Sequence, residues 1–548
     1  MLIWKQELRE RLAAAAQAAG LAVTADAVVV ERARDAAHGD YASNLAMAQA
    51  KQARCKPREL AEKITAAFDG GPWFAPPTIA GPGFINLALA PAAWPQLVAG
   101  MLAAGAAYGR SAGGAGRKAM VEYVSANPTG PLHIGHGRGA AYGDALARLL
   151  AATGWSVTRE FYLNDTGNQL GMLAESLWVR YRQAQGVAIE LPENGYHGEY
   201  LVELAAAARR ELGDGYTEYN DATRTAFGDF GKRVLLVEIT GDLERFQVGF
   251  DVWSSERELY RSGAVEAVVA QLQAAGALAE QDGALWLKSS AHGDEKDRVL
   301  RRADGRYTYL AADIAYHAQK FARGFDRMID IWGYDHHGYT ARVRSALRYL
   351  GLDDGKLEIQ LYQLVKLLDN GHEVRMGKRT GSFVTLRQVT DEVSTDVARW
   401  FFLMRQHESH LDFDLALAKQ QSNDNPVYYV QYAHARLCGI LRQAGAAGAG
   451  EATAAELALL TEPAERALLL QLARFPEEVA DAAQALEPQR LTAYLHALTA
   501  DFHRFYDACH VLNVAPDLMR ARLALCRAAR QTYANGLALL GISAPESM

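Results

Sequence analysis

Two histidines three positions apart, His133 and His136, lie in the loop Pro128-Thr129-Gly130-Pro131-Leu132-His133-Ile134-Gly135-His136-Gly137. Imidazole rings can donate to phosphate oxygens, and Gly135 between them lets a flat group approach the backbone closely. The loop follows an apolar run, 119–124, that predicts a buried strand. It precedes 138–153, where Ala140, Ala141, Ala145, Leu146, Leu149 and Leu150 predict a helix with one face inward. A loop between strand and helix collects backbone N–H groups and the positive helix end at one point, which makes an anion site. A zinc reading is weaker, because the loop holds no cysteine or carboxylate to complete a tetrahedron.

These residues need a scaffold, and the surrounding pattern is α/β. A second apolar strand, 155–163, follows the first helix, giving a βαβ unit with the histidine loop at its switch end. A later strand, 328–332, runs into Gly333-Tyr334-Asp335-His336-His337-Gly338, followed by a helix at 339–350 and a strand at 357–368. The intervening stretch, placed at about 180–290, reads as a mostly helical insertion outside the sheet, with a β-like piece at 284–288. Residues 1–110 read as a separate small α+β domain, with a helix at 5–19, a Val-rich strand at 22–32 and a strand after Gly83. A Gly/Ala/Ser-rich linker, 109–116, leads to a catalytic domain over 117–385. From 386 to 548 the pattern is a helical bundle, its helix at 427–443 carrying Tyr428, Tyr429 and Tyr432.

The 548 residues exceed one ordinary core, so two to four domains are expected. The net charge of −7 excludes a globally basic nucleic-acid binder; any RNA contact must use local basic faces. Four cysteines, Cys55, Cys438, Cys509 and Cys526, form no CxxC pair, which suits a reducing, cytoplasmic setting without structural zinc or disulfides. No apolar span has membrane length.

The string His133-Ile134-Gly135-His136 resembles the ATP signature of class I aminoacyl-tRNA synthetases. The longer run from Ser125 through Ala126, Asn127, Pro128, Thr129, Gly130, Pro131, Leu132, His133, Ile134 and Gly135 to His136 is similar to the signature of the bacterial arginyl-tRNA synthetase family. So are Tyr162 to Gln169, Tyr196 to Tyr200, Tyr309 to Asp313 and Gly333 to Tyr339, in that order along the chain. The segments around His38 to Asn44 and Gly83 to Asn86 resemble that family's N-terminal tRNA-contacting domain. Tyr429 to Arg436 and His503 to Asp507 resemble its anticodon-binding bundle.

The resemblance implies a Rossmann-like class I core and a ligase that joins arginine to ATP, releases pyrophosphate and passes the arginyl group to the 3′ end of tRNA(Arg). His133, His136 and Lys378 would be catalytic. Pro131, Leu132, Ile134, Gly135, His336 and Met376 would join them around ATP, which would bring Mg2+. Asn127 and His337 would hold the amino acid. The second class I signature is altered: Arg375-Met376-Gly377-Lys378 stands where Lys-Met-Ser-Lys is usual, after an Asp369-Asn370-Gly371 turn. A carboxylate must face the guanidinium fork, and Asp313 is the leading candidate, four residues after Tyr309 and so on the same helix face. Glu122, Trp253 and Asp251 are further candidates for that pocket. Tyr428, Tyr432 and Arg436 would contact the anticodon loop. A zinc-dependent cysteine-specific ligase would want cysteines clustered for metal, and a non-catalytic relative would have lost the histidines or Lys378. The expected partners are tRNA(Arg), L-arginine and ATP, with the enzyme a monomer.

Overall fold

The computed structural model describes residues 4–33, 38–374, 384–446 and 450–548. Its centre is a five-stranded, all-parallel sheet. In chain order the strands are β1 (Lys118–Glu122), β2 (Ser156–Leu163), β3 (Val252–Ser255), β4 (Arg327–Gly333) and β5 (Leu357–Tyr362), and across the sheet they run β5-β4-β1-β2-β3. β1 and β4 are neighbours, so the chain reverses its direction of travel there, and a crevice opens beyond their carboxyl ends. Strand side chains alternate between faces. Ala119, Val121, Tyr123 and Phe161 pack toward helix α1 (Ile134–Ala152). Met120 and Tyr162 pack toward helix α3 (Tyr309–Ala322).

Helix α1 lies close against β1. A Cβ on Gly143 would come within 2.2 Å of the Tyr123 ring, so this position requires glycine. Arg138 of α1 is buried and donates to the main-chain oxygens of Gln363, Gln406 and Ser409 at 2.8–2.9 Å. Arg399 is also buried, donating to Asp144 of α1 at 2.6 Å and to Leu540 and Phe246 carbonyls at 3.0 Å. These two guanidinium groups tie the helix behind the histidine loop to the rest of the molecule.

The expected insertion is not wholly outside the sheet. Residues 252–255 pair in parallel with β2 and close one edge of the core. Four residues with an exposed Trp253 carry too little alternation to announce a strand. The β-like piece at 284–288 is Ala284–Leu287, the middle of a three-stranded antiparallel sheet. The strand expected over 357–368 is two, β5 and Val365–Asp369; the second enters a hairpin whose Asn370 and Gly371 both have positive φ, as an Asn-Gly turn demands.

Near the N-terminus, helices Trp4–Ala18, Leu45–Ala53 and Pro57–Ala66 pack with a four-stranded antiparallel sheet. The expected strand at 22–32 shrinks to Glu31–Arg32, because Val23, Val28 and Val30 are buried by packing around a short turn at Ala25–Ala27. The Gly/Ala stretch near 109–116 is fitted and not a loose tether: a Cβ on Gly109 or Gly114 would strike Phe475 or Trp155 at 2.3 Å. From Thr385 onward the described chain is helical apart from Leu411–Asp414, which pairs with Val365–Asp369. Five longer helices, Pro426–Ala446, Pro463–Ala473, Phe475–Ala485, Gln489–Ala508 and Pro516–Leu539, form the C-terminal bundle. Tyr41 of the N-terminal region donates to buried Glu477 of that bundle at 2.8 Å, with Lys5 paired to Asp481 beside it.

Candidate active site

At the end of β1 the chain turns sharply. Val124 and Ser125 both have positive φ, 68° and 42°, which costs a non-glycine residue about 1–3 kcal/mol each. Ser125 holds the turn: its hydroxyl donates to Glu122 Oε1 at 2.8 Å and accepts from Tyr162 N at 3.1 Å. The signature loop is then pinned from the segment that follows β2. Tyr200 donates to the Thr129 carbonyl at 2.6 Å, and the Asn127 amide donates to Gln169 at 2.6 Å.

His133 is the N-cap of α1. Its Nδ1 accepts from Gly135 N at 3.1 Å, and His136 Nδ1 accepts from His133 N at 3.2 Å. The two rings stack 3.6 Å apart. With both Nδ1 atoms accepting, each neutral ring carries its hydrogen on Nε2, so both histidines are Nε2–H donors at a positive helix end. A Cβ on Gly135 would sit 3.0 Å from the His133 ring, so glycine lets the cap fold over. On the other side, Ile134 N donates to Val384 O and Leu386 N to Leu132 O, at 3.2 and 2.8 Å. The segment that returns from the second signature is therefore stitched to the first. Arg375, Met376, Gly377 and Lys378 lie outside the described residues.

Across the crevice, α3 presents Tyr309 and Asp313 on one face, as their spacing predicts. Asp313 is inside the helix, which rules out a capping role. Burial pushes its carboxyl up to about 6 and the Glu122 charge adds to this, while His317, His336 and a hydrogen bond from Tyr339 oppose it. Facing it is Glu256, the first residue of the short helix α2 (Glu256–Arg261), which starts where β3 ends. Glu256 is buried and pushed up to about 8, by burial first and then by the Asp313 charge. Turned to satisfy both its ends, the Asn164 amide donates to Glu256 at 3.1 Å and to the Thr166 carbonyl at 3.2 Å. Among the described residues neither Asp313 nor Glu256 is ion-paired with a lysine or arginine. Both carboxyl groups are pushed up by burial, and the Asp313 charge raises Glu256 further, with Tyr309 on the same helix face as Asp313.

Comparison with known proteins agrees with this geometry. Residues 97–409 match the catalytic domain of class I tRNA synthetases (R), residues 4–89 the arginyl tRNA synthetase N terminal domain, and residues 430–548 the DALR anticodon binding domain. A curated relative, an arginine–tRNA ligase of Thioalkalivibrio sulfidiphilus, is 48% identical over 564 residues, covering 96% of both chains. The chain belongs to the arginyl-tRNA synthetase family. Among solved structures, a putative arginyl-tRNA synthetase from Campylobacter jejuni is 35% identical with a TM-score of 0.77, covering 84% of this chain and all of that one. The Thermus thermophilus arginyl-tRNA synthetase is 25% identical with a TM-score of 0.79 over the whole of both chains.

Within this family member the expected site residues do not all converge. Glu122 lies beneath the pocket with both oxygens engaged, by Ser125 and by Lys320 Nζ at 2.5 Å. Trp253 stacks on Phe161 at 4.3 Å, on the sheet face away from Asp313. Asp251 precedes β3 at the opposite end of the strand, bonded to Arg159 N at 2.8 Å. His336 joins His317 in lowering the Asp313 carboxyl, whereas His337 stacks on Tyr334 and bonds its carbonyl at 3.1 Å. Glu256 was not among the expected residues. The signal for it was slight: a carboxylate after Ser254-Ser255, where a strand of only four residues gives way to a helix. In the bundle, Tyr428, Tyr432 and Arg436 do come together. The two rings are near parallel at 6.1 Å, and the Arg436 guanidinium lies 4.8 Å from both the Tyr432 and Tyr506 rings.

Proposed function

We propose that the crevice beyond β1 and β4 holds ATP on the histidine side and arginine on the Asp313 side, with their reacting ends meeting over Gly135. The protein is an arginine–tRNA ligase: it activates L-arginine with ATP to arginyl-adenylate and pyrophosphate, then transfers arginine to tRNA(Arg). In the first step an arginine carboxylate oxygen bonds to the α-phosphorus and the bond to the pyrophosphate oxygen breaks. In the second a ribose hydroxyl bonds to the acyl carbon, and AMP leaves. Neither step needs a protein nucleophile, so catalysis is placement and charge stabilisation. The Nε2–H groups of His133 and His136 serve the phosphate oxygens, and Pro131, Leu132 and Ile134 shape the loop beside the nucleotide. Lys378 and Met376 act from the second signature, and His336 lies toward the adenosine. Mg2+ carried in with ATP would supply neutralisation of phosphate charge. The guanidinium lies between Asp313 and Glu256 beneath Tyr309, and Asn127 orients the amino acid end. Tyr428, Tyr432 and Arg436 meet unstacked bases of the anticodon loop. The four unpaired cysteines suit a cytoplasmic enzyme, read here as a monomer.

The observation that carries the arginine assignment is the convergence of Asp313 and Glu256: burial pushes both carboxyl groups up, the Asp313 charge raises Glu256 further, and among the described residues neither is ion-paired with a lysine or arginine. The test is exchange of labelled pyrophosphate into ATP, with tRNA present, comparing arginine with citrulline. Citrulline has the same shape without the charge. Arginine should support exchange and citrulline should fail at equal concentration; equal rates would show that the site does not read the guanidinium charge.

A further inference from the structure

The column of residues on α3 continues below Asp313. His317 and Lys320 follow on the same face, both buried. Lys320 Nζ donates to Glu122 of β1 at 2.5 Å and to Asp330 of β4 at 2.8 Å. His317 Nδ1 lies 2.7 Å from the Asp313 main-chain oxygen, and its Nε2 lies 2.9 Å from Asp330 Oδ2. Against its burial, Lys320 and His317 hold the Asp330 carboxyl below the ordinary carboxylate range, so it is an ionised acceptor. Both ring nitrogens of His317 therefore face oxygens that only accept, and both must donate. The floor of the pocket is thus two cations against two carboxylates, Glu122 and Asp330, sealed from solvent.

We propose that His317 is a positioning residue for arginine recognition: its doubly donating ring cancels the Asp330 carboxylate and stands under Asp313, so that the pocket's negative charge is presented at Asp313. This rests on Asp313 being the carboxylate that reads arginine. Lys320 completes the balance from below, against Glu122. Without a cation at 317, the Asp313 carboxyl would face the carboxylates Glu122 from β1 and Glu256 from α2, among the neutral Tyr260 of α2 and Tyr162 of β2, with only His336 and the hydrogen bond from Tyr339 of the next helix opposing them. It would keep its proton to higher pH and refuse the guanidinium there.

The experiment is the pH profile of the arginine KM in the full-length enzyme, with ATP and tRNA saturating. In the wild type the KM should rise about tenfold per pH unit below the Asp313 titration. In His317→Gln, which keeps one donor and loses the charge, the rise should begin about one pH unit higher. The kcat and the ATP KM should stay within about threefold, a change worth under 1 kcal/mol. A merely structural role would lower thermal stability and leave the onset where it was, which would overturn the proposal. Asp313→Asn separates the two layers: an unchanged arginine KM there refutes the Asp313 assignment itself, whereas a raised one with an unmoved His317→Gln profile refutes only the role of His317. If His317→Gln does not fold, neutron diffraction from wild-type crystals decides. Deuterium on both His317 ring nitrogens is expected, and density on one alone would overturn the proposal.

Discussion

A carboxyl group kept in place for a substrate cation should weaken the empty protein, and Asp313 allows the effect to be sized. Its pKa moves from an ordinary 3.8 to about 6 in the folded chain, chiefly through burial. The folded state therefore binds the proton more tightly than the unfolded chain does. Between those two values stability falls as pH rises, and above about 6 the full penalty is present. About two units at 1.36 kcal/mol each give a penalty of about 3 kcal/mol at neutral pH. Asparagine keeps the shape and cannot ionise. Asp313→Asn should thus stabilise the empty enzyme at pH 7.5 by an amount of that order, and the gain should vanish below about pH 4. The same change removes a charge-assisted contact to the guanidinium worth about 2–5 kcal/mol, so the arginine KM should rise at least about thirtyfold. Urea denaturation at pH 7.5 and pH 4, read by a probe in the catalytic core, measures the first effect. Steady-state arginylation measures the second. A variant less stable than wild type at pH 7.5 would refute the reasoning, because Asp313 would then be a structural group satisfied without substrate. A stabilised variant with an unchanged arginine KM would place the guanidinium elsewhere.

Three further outcomes are expected. His136→Ala should slow adenylate formation by about 10²–10³ in single-turnover assays, while losing the helix-start bond to His133 N, worth about 1 kcal/mol of stability, and the stack on the His133 ring. Arg399→Met should leave Asp144 buried with Arg148 as its remaining charged partner and lower stability by about 3–5 kcal/mol in chemical denaturation; a neutral result would mean that the buried pair is dispensable. Arg436→Ala should raise the tRNA KM, leave the arginine KM unchanged, and reduce the slope of log affinity against log salt by about one; an unchanged slope would make the Tyr428–Tyr432–Arg436 stack a packing feature.

Some of the site was legible in the chain because it is built locally. The histidine loop, its helix and the preceding strand are contiguous, so their order alone places two imidazoles at a helix start. Tyr309 and Asp313 share a face because four residues make about one helical turn. The Asn370-Gly371 turn has one cheap conformation, and the hairpin adopts it. Glu256 was hidden because its position is inherited. The edge strand β3 is held by pairing with β2, 92 residues earlier from Ser255 to Leu163, and only that register swings the first turn of α2 over the pocket. Trp253 misled for the same reason: one residue along a strand reverses the face, so a shift from Trp253 to Ser254 separates the α1 side of the sheet from the α3 side.

The buried floor had no sequence signature at all. His317 and Lys320 read as ordinary helix residues until β1 and β4 bring Glu122 and Asp330 beneath them. In the proposed reading, substrate charge is met by residues from four separated segments, and the sheet is what makes them neighbours. A carboxylate pair can be kept poised for a cation only if the charges below it are already balanced. On that argument the specificity of the pocket depends as much on the two cations that never reach arginine as on the acids that do.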